Sequence, residues 1–128
     1  MQIVMQELSH RTKNLLAVIQ AMAAKSARMS LGFDDFRTSF QERLAGLARS
    51  QDLLVASQWS SVPLADLVTS QLSAFTNPID SRLTLKGPPI LLKPEAVQTL
   101  GMALHELATN ALKHGSLSTP SGWVDVTW

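Results

Sequence analysis

The stretch Glu7-Leu8-Ser9-His10-Arg11-Thr12-Lys13-Asn14-Leu15-Leu16-Ala17-Val18-Ile19-Gln20 holds neither glycine nor proline and repeats its apolar residues at helical spacing. Extended to Val4 and Met22, the apolar positions Val4, Leu8, Leu15, Ile19 and Met22 form one stripe of the kind that packs in helical bundles. At about 100° per residue, His10 lies roughly 150° from that stripe and is expected to face water. A second helix follows with Phe36, Phe40, Leu44, Leu47 and Leu54 on one face. Between the two, Gly32 suits the position after a helix end and Asp34 can cap the next helix. The expectation is an antiparallel hairpin over residues 1–59. Two such helices cannot cover both stripes, so a second copy is expected to complete a four-helix bundle as a homodimer.

His10 has neighbours that suit a phosphoryl acceptor. A neutral imidazole is nucleophilic at one ring nitrogen, and an acid that takes the proton from the other stabilises the growing charge. Glu7, one helical turn before His10, is the candidate for that acid. Arg11 and Lys13 can offset the charge of an incoming phosphate. Spacing alone is equally met by an ordinary surface histidine on an amphipathic helix.

Beyond residue 59 the pattern becomes mixed. Ser61-Val62-Pro63 reads as a cap with proline in the first turn of a helix through Leu64, Leu67, Val68, Leu72 and Phe75, which Asn77-Pro78 stops. Short extended pieces follow at Arg82 to Leu85 and at Ile90 to Leu92. From Pro94 runs the most regular helix, with Val97, Leu100, Leu104, Leu107, Ala108 and Ala111 read as its buried face and Gly115 as its stop. The alternating segment from Trp123 to Trp128 reads as a strand with Val124, Val126 and Trp128 facing a core.

On the helix from Pro94, Glu106, Asn110 and Lys113 share a stripe roughly 140° from its apolar face. A carboxylate, a carboxamide and an ammonium in that order suit a magnesium-bound polyphosphate. The Asn110 amide oxygen can ligate the hard cation, Lys113 can meet phosphate oxygens, and Glu106 can hold a water. The same spacing also occurs on plain solvated helix faces.

Two strings change the balance. Residues 7–20 resemble the phosphoacceptor box of HWE and related histidine kinases, His-Arg-x-Lys-Asn followed by an apolar run. The string Leu104-His105-Glu106-Leu107-Ala108-Thr109-Asn110-Ala111-Leu112-Lys113-His114-Gly115 resembles the N box of the ATP-binding domain that histidine kinases share with gyrase, in its HWE form with a histidine before the glutamate. The resemblance covers nearly the whole chain. It implies an α+β fold, the hairpin followed over residues 60–128 by a truncated GHKL-type α/β sandwich.

It further implies a bacterial sensor histidine kinase of a two-component system, phosphorylating His10 from ATP with Mg²⁺ and passing the group to an aspartate of a response-regulator receiver domain. The implied catalytic residues are His10, Glu7 and Glu106. Those implied at the nucleotide are Glu106, Asn110, Lys113 and His114, with Asn110 on the metal and His114 beside the adenine. His105 is open between a packed structural role and a catalytic one. The family's Trp-x-Glu segment, Asp-x-Gly-x-Gly turn and glycine-rich lid do not occur before Trp128. The expectation is that the piece alone binds ATP weakly or not at all and is inactive, with an open sheet edge that invites domain swapping or higher association.

Composition narrows the rest. With 11 basic and 10 acidic residues the net charge is +1, so no basic field points to nucleic acid or to a lipid surface. The chain contains no cysteine, which removes disulfides and thiolate metal sites. Nor does any apolar run reach the 18 or so residues that span a bilayer. A cytoplasmic protein without membrane contact is expected. The rival functional reading is a histidine phosphotransferase or regulator-binding adaptor that does not use ATP; the pairing of Asn110 with Lys113 weighs against it.

Overall fold

The computed structural model of the chain describes residues 2–73, 83–113, 115, 117, 119 and 121–128. Phe75, Asn77, Pro78, Arg82, His114 and the side chain of Val4 lie outside the described part. By compactness the chain divides into two units, residues 1–45 and 46–128, the division falling within a helix.

In the first unit, helix α1 (Gln2–Met29) is followed by the start of α2 (Phe33–Ala56). Residues 30–32 turn the chain back, so that Arg43 of α2 reaches α1, its Nη1 donating to Ser26 Oγ at 2.9 Å. Both Ser26 and Arg43 are buried, and Arg43 also donates to Ser39 Oγ. Met22 is buried and Leu15 and Ile19 are half-buried, whereas Leu8, expected on the same stripe, is exposed. The turn is built differently from the expectation. Gly32 does not adopt a left-handed conformation, and it is Asp35, not Asp34, whose carboxylate caps the turn by accepting from the Leu31 N–H at 3.0 Å. The Gly32 carbonyl accepts from the Phe36 N–H as the first helical bond of α2.

The second unit contains the end of α2, strand β1 (Val62–Pro63), α3 (Leu64–Leu72), β2 (Leu83–Lys86), β3 (Leu91–Leu92), α4 (Pro94–Lys113) and β4 (Val124–Thr127). Strand β1 pairs antiparallel with β3, and β2 pairs parallel with β4, Leu83 opposite Val124. Val62 and Pro63 form strand β1, and Pro63, in extended conformation, also holds the N-cap position of α3 without a side-chain cap bond, while the Leu64 N–H donates to the Ile90 carbonyl; the expected helix start is present and the strand is the addition.

Leu54, Val62, Leu67 and Val97 form one core cluster, joined by Leu53, Trp59, Leu92 and Leu104. Val68, Leu72 and Ala108 form another against Leu83, Leu85 and Val126, with Leu104 touching both. Burying each such leucine or valine contributes roughly 1.5–3 kcal/mol. Val124, Val126 and Trp128 are half-buried in alternation with exposed neighbours, as the period of two requires.

The buried face of α4 is turned from the one read in the sequence. It comprises Val97, Gly101, His105 and Ala108, while Leu100 and Leu107 are exposed at 38% and 64%. Glycine and histidine take the core side because α4 meets another helix there at close range.

Candidate functional site

His10 stands on the exposed part of α1, among residues without helix breakers, and its ring is open to solvent. Lys13 is exposed beside it. Glu7 is engaged: its Oε1 accepts from Arg11 Nη2 at 2.7 Å, an ion pair one helical turn long. The acid expected to serve His10 is therefore held by the cation next to that histidine. Thr12 is exposed, and its Oγ1 donates to the Leu8 carbonyl.

On α4, Asn110 and Lys113 are exposed and Glu106 is half-buried, so the polar stripe lies on the accessible side of a helix anchored by Val97 and Ala108. The structure brings these three together on one element; His114 lies outside the described residues. Among the described residues no group of three or more His, Cys, Asp or Glu could hold a metal ion. The Asn110 amide oxygen is a hard donor of the kind that a magnesium ion shared with a polyphosphate can take.

His105 is 2% exposed. Its Nδ1 lies 3.3 Å from Arg49 Nη2 on the C-terminal half of α2. A guanidinium only donates, so Nδ1 accepts and the ring is neutral with its proton on Nε2. Burial pushes the Arg49 guanidinium below its ordinary pKa. Arg49 Nε also donates to Gln71 Oε1 of α3 at 3.4 Å, and Gln71 Nε2 donates to the Gly46 carbonyl at 2.9 Å and to Ser50 Oγ at 3.0 Å.

Two glycines make the approach possible. A Cβ on Gly46 would lie 2.8 Å from His105 Nδ1, and one on Gly101 would lie 2.1 Å from Ser50 Oγ. Sequence reasoning missed Arg49, Gln71, Ser50 and both glycines. The available signal was glycine inside two otherwise regular helices, where it costs about 1 kcal/mol and marks a close packing partner.

The residues matched by the HWE histidine kinase family model are 7–89, which include His10 and most of both helices. The chain is similar to blue-light-activated histidine kinase 1 of Erythrobacter litoralis, 38% identical over 124 residues that cover 95% of this chain and 34% of that protein. It is similar also to the blue-light-activated histidine kinases of Brucella ovis and Brucella abortus, each 31% identical over 126 residues covering 98% of this chain and 26% of the relative. The chain thus spans about a third or less of the length of these curated relatives.

Proposed function

The chain belongs to the HWE histidine kinase family, and on that premise we propose that it carries the phosphoacceptor and part of the nucleotide site of a sensor histidine kinase. The γ-phosphoryl group of ATP passes to a ring nitrogen of His10: the nitrogen–phosphorus bond forms as the bond to the ADP oxygen breaks, and the other ring nitrogen sheds its proton. The phosphoryl group then passes to a response-regulator aspartate. The observation that carries this reading is the solvent-facing ring of His10 inside the matched segment.

Asn110 would hold Mg²⁺ through its amide oxygen, Lys113 would meet phosphate, and Glu106 would order a water. The cation supplies neutralisation of the charge developing on the transferred group. Glu7 would serve His10 as proton acceptor through its second carboxylate oxygen while Oε1 stays with Arg11, or through both once substrate charge competes for the guanidinium. Two hairpins pairing as a homodimer would cover Met5, Leu8 and Leu16, which are 67%, 51% and 55% exposed.

Radiolabelled ATP and the full-length protein test the proposal, in darkness and under blue light because the relatives carry that activation in their names. His10→Gln is expected to abolish labelling, and Asn110→Ala to lower it by about 100-fold or more, the scale of losing a positioned transition-state contact. Undiminished labelling of His10→Gln would refute the assignment.

A further inference from the structure

We propose that Arg49 and His105 are a positioning pair: the guanidinium, donating to Nδ1 of a neutral imidazole, sets the rotation of α4 and with it the direction of Glu106 and Asn110. The proposal deepens the reading of α4 as the nucleotide-bearing helix and rests on it.

Apolar packing alone leaves that rotation weakly specified. Val97, Leu104 and Ala108 make aliphatic contacts without directionality, and the exposed Leu100 and Leu107 lie about 60–80° round the helix on one flank, so a small turn exchanges one apolar contact for another. Side chains of a helix end about 5–6 Å from its axis, so a turn of about 20° would move Asn110 by about 2 Å. A displacement of about 1 Å at a reacting centre can cost about 100-fold in rate. A directional contact is needed, and the buried polar cluster supplies it.

The imidazole rests on the backbone of α2 at Gly46, and Ser50 rests on α4 at Gly101, so each helix accepts a side chain of the other over a glycine. Gln71 locks the arrangement from α3 by binding both the Gly46 carbonyl and Ser50. Arg49 touches Gln71 and His105 at once, which fixes where its guanidinium points. A half-satisfied buried network is costly, so the arrangement has one favoured register.

Nδ1 is the acceptor, and this gives a test that a merely space-filling histidine would not pass. Asparagine places an acceptor where Nδ1 stands, and glutamine places one where Nε2 stands. In the full-length protein at saturating ATP, His105→Gln and Arg49→Met are expected to lower the phosphorylation rate on the order of 10- to 100-fold. His105→Asn should recover the wild-type rate to within about threefold.

In the present chain, nitrogen NMR should show Nδ1 unprotonated. Arg49→Met should raise amide exchange across residues 104–113 by about tenfold or more, and by more than across 64–72, where Arg49 touches only Gln71. A protonated Nδ1, equal behaviour of the Asn and Gln variants, or unchanged exchange in α4 would overturn the pair. If the wild-type full-length protein transfers no phosphate, the kinase reading falls, and the exchange result still decides whether the pair registers α4.

Discussion

Single residues here act mainly through what they exclude. Gly101→Ala would add a methyl group 2.1 Å from Ser50 Oγ. Alanine is the better helix former by about 1 kcal/mol, but overpacking a tight crossing costs about 1–3 kcal/mol. The expected net effect is destabilisation, read as a lower denaturant midpoint, and an unchanged or higher midpoint would contradict the close crossing. At the end of α2 the opposite change should help. Gln58 and Trp59 hold φ of 56° and 60°. The Trp59 N–H reaches the Leu54 carbonyl and the Gln58 N–H reaches that of Val55, a helix-ending pattern in which glycine normally occupies the left-handed position. Gln58→Gly is expected to stabilise the chain by up to about 1 kcal/mol, measured by thermal unfolding. The expected end of the hairpin at residue 59 falls within this turn, but its left-handed geometry was not legible, because the residue is neither glycine nor asparagine and Trp59 packs against the core cluster of Leu54 and Val97.

At the scale of elements, local pattern and tertiary partner part company. The existence of α1, α2 and α4 follows from long runs with helical periodicity, and β2 and β4 fall within or beside the extended pieces read from Leu83, Leu85 and the alternation through Val126. Strand β1 was illegible: Val62 pairs with Leu92, a distant partner, and the two-residue strand lies hidden beside the helix start that Pro63 correctly marks. The buried face of α4 was misread for a related reason. Counting leucines selects Leu100 and Leu107, yet the neighbour on that element is a helix approaching through Gly46 and Ser50, which favours Gly101 and His105. Leu107→Gln should therefore change stability by no more than about 0.5 kcal/mol, whereas Leu54→Ala, at a site 1% exposed, should cost about 2–5 kcal/mol. Chemical denaturation of the two variants measures both, and a large loss for Leu107→Gln would return that residue to the core.

Over the whole molecule, the division at residues 45 and 46 places the last turns of α2 in the same compact unit as α3 and α4. The exposure of His10 was legible from its place on one helix, and the shared stripe of Glu106, Asn110 and Lys113 from their spacing along another; the roles proposed for them rest on the strings around them. The cluster of Arg49, Gln71 and His105 was not legible, since it gathers residues from three helices and no single segment shows it. No helix among the described residues is long and apolar enough to cross a membrane. The phosphoryl acceptance proposed for His10 can be examined most directly by phosphorus NMR of the full-length protein after incubation with Mg²⁺ and ATP. The account predicts a phosphoimidazole resonance that is present in the wild type and absent from His10→Gln. A phosphoimidazole signal that survives in His10→Gln, or phosphate found only on a hydroxyl or carboxylate, would contradict it.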